Sequence, residues 1–466
     1  MPSDENISPS DSSPSSLPVG ARRAPDPARY GQAPRGTRDF YPLEMAKRRW
    51  IEERWRRVAT RFGFEEIDGP RFEHLDTYTV KSGEGIVSEL FSFTRAGGET
   101  EFALRPEFTP TLARMVAAKA NALPKPIKWF SVGPYFRAER PQRGRLREFL
   151  QWNVDMVGDP SPEADAEVIA CCVEMLRECG LTEKDVTVRI GNREVVEQCL
   201  MSSGATEETL IDACVLLDKR EKMTPQDFAN ACERLELDIA EFDRTSREID
   251  AALNGAVSDT SAPSSLKQLF LTLEASGQRA MCRSDANRIV RGLAYYTGTV
   301  FEVHEATGAE RAIAGGGRYD NLVELFGGPA TPAVGFAMGD VVLSLVLQDK
   351  GLMPSDAEIA KELGLNPDVF VFSVEESLDA HAAALLARCR REGLHARRSY
   401  KTTRNVGKLL KEASGQRARV AAFVEPAPDG DGFRIQVKDL QGDRGQREFA
   451  SVDEALAFVH EVLIDR

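Results

Sequence analysis

Residues 127–137 and 149–157 both carry the alternation of a β-strand, and a short arginine-rich link joins them. No other feature constrains the fold as much, because two strands so close in sequence pair as an antiparallel hairpin. In "FLQWNVDMVG", Leu150, Trp152, Val154 and Met156 alternate with Phe149, Gln151, Asn153 and Asp155. A strand has period two, so one face is apolar and the other mostly polar. Taken alone, the polar face reads as the solvated side of an antiparallel strand. The first strand adds a second reading. Tyr135 and Arg137 share one parity, and the hairpin is expected to set them beside Gln151 and Asp155. The pair then forms a polar floor bearing both signs of charge, with Phe149 at its edge.

The link itself, "FRAERPQRGRLREF", holds Arg137, Arg140, Arg143, Arg145 and Arg147, although the chain has a net charge of -13. That acidic balance argues against nucleic-acid binding by the whole surface and leaves room for a local basic face. Guanidinium offers a planar fork of donors that suits phosphate oxygens. A lone arginine-rich loop is a solvated loop; one set above a polar sheet floor reads as a phosphate clamp.

At 466 residues two or three domains are expected. A hydrophobic share of 42% and a charged share of 29% describe a globular protein. No apolar run approaches the roughly 20 residues of a membrane span, so no membrane association and a cytoplasmic location are expected. Residues 1–35, rich in Ser, Pro and Ala, read as a disordered tail. Helical periodicity covers 43–62 and ends at Gly63, and a strand broken at Gly69-Pro70 follows. Ser161-Pro162 caps a helix running to Gly180. Residues 36–190 are expected to form the first part of a core, and Glu-rich 191–280 a helical insertion. Residues 281–350 return to the core, 351–366 link onward, and 367–466 form a strand–helix–strand α/β unit. The eight cysteines include no C-x-x-C pair and read as buried thiols in a reducing compartment. The five histidines show no metal spacing, and neither G-x-G-x-x-G nor G-x-x-x-x-G-K occurs.

The arginine link resembles the second motif of class II aminoacyl-tRNA synthetases, F-R-x-E, a loop, then R-x-x-x-F. "RGLAYYTGTVFE" at 291–302 resembles a motif of the histidyl-tRNA synthetases, as do "LRPEFTP", "AGGGRYDNL" and "TPAVGFAMG". The resemblance covers about 36–466 and implies an α+β fold: an antiparallel-sheet catalytic core, a helical insertion and a C-terminal α/β anticodon-binding domain. It implies that histidine is activated with ATP and transferred to tRNA(His), with Mg2+ sharing the charge of the leaving pyrophosphate. Under this resemblance Arg137 and Arg291 act on the reacting carboxylate and α-phosphate. Phe149 stacks on adenine, Glu139 contacts its amino edge, and Arg145 reaches the outer phosphates. Glu107 and Thr109 hold the α-amino group of histidine, while Gln151, Asp155 and Tyr296 line its pocket. The first motif, around Pro70, implies a homodimer.

Two positions depart from the family pattern. Val342 stands where the third motif carries an ATP-binding arginine, and Ala294 replaces an acid. Losing one transition-state donor costs about 3–4 kcal/mol, so another cation is expected to close that side. Asp340 reads as an N-cap, with a magnesium ligand as the other option. Residues 388–411 carry nine basic side chains against Glu392 alone, a window of +8. With Arg143, the window's Arg397, Arg398, Lys401, Arg404 and Lys408 are the candidate tRNA contacts. A non-catalytic relative, the ATP phosphoribosyltransferase regulatory subunit, lacks the C-terminal domain. The basic C-terminal hundred residues therefore favour the ligase over that relative and over a synthetase-like RNA binder with an inactive core.

Overall fold

The computed structural model describes residues 31–82, 84–220, 223–255, 264–285, 296–428 and 432–464. Most of the expected N-terminal tail, and Arg291 and Ala294, lie outside the described residues. The chain forms two compact units, one of residues up to Phe40 with Trp55–Leu347, the other of Tyr41–Arg54 with Gln348–Arg466.

Helix α1 (Pro42–Arg61) buries Trp50, Ile51, Trp55, Val58 and Ala59, which at 3.6 residues per turn fall on one side of the helix. The chain turns at Gly63, whose φ is 74°. In the first unit follow β1 (Glu65–Glu66), β2 (Phe72–His74), β3 (Ser92–Thr94) and β4 (Glu101–Leu104). Then come α2 (Thr109–Lys119), β5 (Ile127–Phe136), β6 (Glu148–Val157), α3 (Pro162–Glu178) and β7 (Val186–Asn192). Described helices occupy 193–202, 210–219, 225–234, 239–254 and 264–275 before β8 (Cys282–Ser284), β9 (Thr299–Glu305), β10 (Ala314–Arg318), β11 (Ala333–Gly339) and α4 (Asp340–Asp349).

Eight strands make one sheet in the order β1-β5-β6-β11-β10-β9-β7-β8. Its inner pairings are antiparallel; only β1 with β5 and β7 with β8 are parallel. Strands β2, β4 and β3 form a separate small sheet. Helix α3 starts where the Ser161 side chain accepts from the Ala164 amide, with Pro162 next, and it packs on the large sheet. Asp165 of α3 is buried against Arg318 of β10, their N–O distance being 2.6 Å, and accepts from the Thr299 hydroxyl at 2.7 Å. On the same side Trp152 stacks on Trp55 at 6.1 Å and meets Phe336 edge-on at 5.0 Å. The apolar parity of β6 thus enters the core, as alternation requires.

The second unit holds β12 (Val369–Ser373), α5 (Asp379–Arg391), β13 (Ala396–Arg398), α6 (Val406–Gly415), β14 (Val420–Pro426), β15 (Phe433–Asp439), β16 (Gln446–Phe449) and α7 (Val452–Ile464). The strand order is β13-β12-β14-β15-β16, with β12 parallel to both neighbours. Both sheet faces are covered. Val369 and Val371 pack towards Leu385 and Val459, and Phe370 and Phe372 towards Leu409 and Phe423. This explains the unbroken apolar run of β12.

Candidate active site

The hairpin register fixes what faces the cleft. Tyr135 lies opposite Phe149, Gly133 opposite Gln151, and Trp129 opposite Asp155. Arg137 follows at the mouth, its amide donating to the Arg147 carbonyl. The expected parity therefore holds, but Tyr135 and Arg137 sit further towards the loop than beside Gln151 and Asp155. Nor is the polar face a solvated one. Gln151, Asn153 and Asp155 are at most 9% exposed and form the floor of a cleft of about 1070 Å³.

Pairing across the sheet extends this floor. Opposite Asp155, Asn153 and Gln151 stand Gly335, Ala337 and Gly339 of β11, and opposite Gly335 and Ala337 stand Gly317 and Gly315 of β10. Directly paired residues share a face, so a trough of small residues lies beside the polar strand. The glycines are required by space. A Cβ at Gly335 would come 2.0 Å from Asp155 Oδ1, and one at Gly317 would come 2.8 Å from the Tyr296 ring. The triple glycine is thus a close backbone approach. Beyond the trough, Gly315 pairs with Glu302 of β9, which pairs with Arg189 of β7. His304 Nε2 lies 3.0 Å from Glu302 Oε2. The sequence reading missed this charged far wall.

The floor is braced on its own face, from the β5 side. Arg105 is fully buried, donating to the Pro134 carbonyl at 3.0 Å and to Asp68 at 2.7 Å, with Tyr135's ring 4.6 Å from its guanidinium carbon. A Cβ at Gly133 would strike it at 2.2 Å. Asn153 Nδ2 donates to the Tyr135 hydroxyl at 3.1 Å, and Asp155 accepts from the Tyr319 hydroxyl. Tyr319, part of the "GGGRYD" stretch, was not singled out from sequence. Gln151 Oε1 is buried without a hydrogen-bond partner. A buried acceptor left so is costly and marks a place for a ligand donor. Burial, followed by Glu107, Glu302 and Asp155, pushes the Tyr296 phenol up, so it stays neutral. Glu107, and Thr109 at the start of α2, also line the cleft.

At the loop end, the Arg137 guanidinium carbon lies 5.5 Å from the Phe149 ring centre and its Nε donates to the Pro106 carbonyl at 3.3 Å. Arg145 pairs with Glu139 at 2.6 Å, and Arg143 with Glu310 at 2.6 Å. Val342, in the first turn of α4, lines the same end and is 7% exposed. Asp340 answers neither expectation. It is the first residue of α4, and its carboxylate is taken by the Leu150 amide at 2.8 Å and Arg38 at 2.7 Å. It ties helix to strand.

In the second unit, acids from outside the window of 388–411 offset part of its charge. Arg404 is held by Asp379 at 2.7 and 2.9 Å, Lys401 by Glu412 at 3.6 Å, and Arg388 by Asp453 at 3.3 Å as well as by Glu392. Counting along the sequence overstated the basic footprint, because folding brings in remote carboxylates. Arg397 donates to His395, Gln416 and the Leu365 carbonyl. Arg398 lies 5.1 Å from the ring of Tyr400, which is 83% exposed. That aromatic, missed in the sequence reading, shares a small pocket with Arg398, Lys401 and Arg404. Lys408 follows the Asn405 cap of α6.

A family model described as Histidyl-tRNA synthetase matches residues 36–340. Among curated relatives, Histidine–tRNA ligase of Opitutus terrae is 44% identical, covering 69% of this chain and 75% of the relative. That of Haloarcula marismortui is 40% identical over 84% of this chain and 89% of the relative. The chloroplastic/mitochondrial Histidine–tRNA ligase of Arabidopsis thaliana is 37% identical, with 77% and 73% covered. Among solved structures, a histidyl-tRNA synthetase from Nostoc superposes with a TM-score of 0.68 at 23% identity, covering 92% of this chain and 99% of that one. A Bacillus halodurans protein described as an ATP phosphoribosyltransferase regulatory subunit/histidyl-tRNA synthetase gives 0.65 at 22%, with 82% and 96% covered. At these identities the structural likenesses establish the fold, a class II catalytic sheet with a C-terminal α/β domain, and do not by themselves separate ligase from regulatory relative.

Proposed function

The chain belongs to the histidyl-tRNA synthetase family, and from that premise we propose that the cleft over β6 is where it joins histidine to ATP before charging tRNA. It is an ATP-dependent ligase whose substrates are histidine, ATP and tRNA. The observation that carries the assignment is the gathering of Gln151, Asp155, Arg137 and Phe149 along one cleft by the register of a single hairpin.

Histidine lies over the polar floor. Glu107 and Thr109 hold its ammonium, Gln151 accepts from it with an otherwise idle oxygen, and the Asp155–Tyr319 pair and Tyr296 close round the imidazole. The adenine stacks on Phe149 with Glu139 at its edge. Both reacting groups are anionic, so repulsion between carboxylate and α-phosphate is the obstacle. Arg137, joined by Arg291, lowers it by fixed positive charge, and no general base is needed. Arg145 faces the outer phosphates. The oxygen of histidine's carboxylate bonds to the α-phosphorus as the bond to pyrophosphate breaks; the terminal hydroxyl of tRNA, giving up its proton, then attacks the carbonyl carbon of the adenylate, forming the ester as AMP leaves.

Mg2+ enters with the nucleotide in this proposal. Among the described residues no three acidic or imidazole groups gather as a metal cage. Mg2+ commonly binds through phosphates, waters and one or two carboxylates, a mode that needs no such cage. The tRNA acceptor end approaches Arg143. Arg397, Arg398, Lys401, Arg404 and Lys408 meet its backbone, with Tyr400 available for base stacking. A homodimer is supported by the small sheet, where Phe72 and Phe93 are 49% and 44% exposed and cluster with Phe102. No described helix is long and apolar enough to cross a membrane. The eight buried free thiols suit a reducing, cytoplasmic setting.

Exchange of pyrophosphate into ATP tests the assignment. It should depend on histidine, and the protein should charge tRNA(His). Exchange without histidine, or none with it, would defeat the assignment.

A further inference from the structure

The arginine link is a loop, and a loop that must hold Arg137 and Phe149 in place for a substrate needs bracing from outside its own hairpin. Residues 34–38, "PRGTR", supply it. The Thr37 amide and hydroxyl both donate to the Pro34 carbonyl, at 2.9 and 2.7 Å, closing a tight turn. Gly36 stands third in that turn at φ 89°, a place that takes glycine. Its carbonyl accepts from the Arg147 amide at 2.7 Å and the Glu148 amide at 3.2 Å. The approach is close: a Cβ on Gly36 would lie 2.7 Å from Pro141 Cγ and 2.9 Å from Arg147 Cγ.

Arg147 passes this hold to the other arm of the link. Its carbonyl accepts from the Arg137 amide at 3.0 Å, and its Nε donates to the Glu139 carbonyl at 3.2 Å. Two residues after Gly36 comes a second attachment. Arg38 Nη2 meets Asp340 Oδ2 at 2.7 Å, and Asp340 Oδ1 accepts from the Leu150 amide at 2.8 Å. Backbone pairing of β11 with β6 ends at Gly339 opposite Gln151, so the Asp340 carboxylate makes the next rung. The Asp340 side chain is 4% exposed. A buried charge needs a counter-charge, and Arg38 is that partner. One five-residue segment thus holds the amides of Arg147, Glu148 and Leu150, on both sides of Phe149.

We propose that residues 34–38 are a strap that positions the arginine link for catalysis, with Arg38 a positioning residue acting through Asp340 on the nucleotide side of the cleft. This rests on the reading of the cleft as the site of adenylate formation. Arg38 and Asp340 stand outside the cleft lining, so their effect passes through the backbone that carries Arg137 and Phe149. Gln151 is paired on both sides, with Gly133 and Gly339, and the histidine floor is held without the strap.

The test is single-turnover adenylate formation by Arg38→Ala, Arg38→Lys, Asp340→Asn and the Arg38→Ala/Asp340→Asn double variant, each normalised to its folded fraction by circular dichroism. Arg38→Ala should lower the rate by about tenfold or more and leave histidine affinity, by calorimetry, within about twofold. Arg38→Lys should recover part of the rate. The double variant should be no slower than the slower single one, since the two side chains act as a unit. A wild-type rate in Arg38→Ala, losses that multiply in the double variant, or an equal loss of histidine affinity would overturn the proposal. Limited trypsin digestion without substrates reads the strap apart from the reaction. Cleavage after Arg140, Arg143 and Arg145 should quicken about tenfold in Arg38→Ala, with cleavage elsewhere unchanged; link cleavage at the wild-type rate would also overturn it. Absence of histidine-dependent exchange in the wild type would remove the assignment of the reaction, while digestion would still judge the strap.

Discussion

Gly335 shows how a single hydrogen can define a binding site. Its missing Cβ would lie 2.0 Å from Asp155 Oδ1 and 2.8 Å from the Val154 carbonyl, so Gly335→Ala should turn Asp155 away from Tyr319, lower the denaturation midpoint, and raise the KM for histidine by about tenfold or more in the fraction that stays folded. Steady-state exchange at varied histidine measures this; an unchanged KM would show that Asp155 does not meet the amino acid. That Gln151 and Asp155 lie on one face of β6 was legible because strand parity is local, and two residues of one parity share a face whatever the fold. Tyr319 was not legible, for it meets Asp155 across 164 residues through a pairing no local pattern encodes. The same limit governed the charge count in the second unit. Asp379 lies outside the basic window, yet Arg404, with Ser373 assisting, holds its carboxyl down at about 2. A depressed carboxylate contributes stability above its unfolded value of about 3.9 and loses it as pH falls through the folded one. The advantage of wild type over Asp379→Asn should thus be full near pH 5, mostly lost by about pH 2 and gone near pH 1, and it should be small because the pair is exposed. Acid titrations of both proteins followed by circular dichroism would check it.

Helix α3 is the element on which the sheet's other face depends. Its cap, Ser161-Pro162, announced the start, and Gly180 at φ 84° closes the end. What the sequence did not announce is the charge inside. Asp165 meets Arg318 of β10, one residue beyond the glycine trough and therefore on the opposite face from it. Burial raises the Asp165 carboxyl, and Arg318 and Thr299 work against that rise. Removing one partner leaves the other charge buried alone, so Arg318→Met should cost about 3–5 kcal/mol. In urea the midpoint should fall with the slope unchanged; a change under about 1 kcal/mol would mean the pair is not the tie between helix and sheet. The helical character of 191–280 was readable from period and composition, whereas the direction in which each helix packs depends on contacts distant in sequence.

At the scale of the whole molecule, acidity and anion binding coexist because the cations are concentrated in short segments that the fold turns towards particular places. The small sheet presents Phe72 and Phe93 outward, an apolar surface that a second copy of the chain would cover. Sedimentation should therefore give a dimer for wild type and a monomer for Phe72→Asp/Phe93→Asp; a wild-type monomer at micromolar concentration would remove the dimer from the account. The deeper claim is that fixed guanidinium groups above a polar floor overcome repulsion between two anions. Rapid-quench measurement of adenylate formation by Arg137→Ala, with histidine and ATP saturating, tests it most directly. The account predicts a rate lower by about 10²–10³ with histidine affinity unchanged; a wild-type rate accompanied by weakened histidine binding would contradict it.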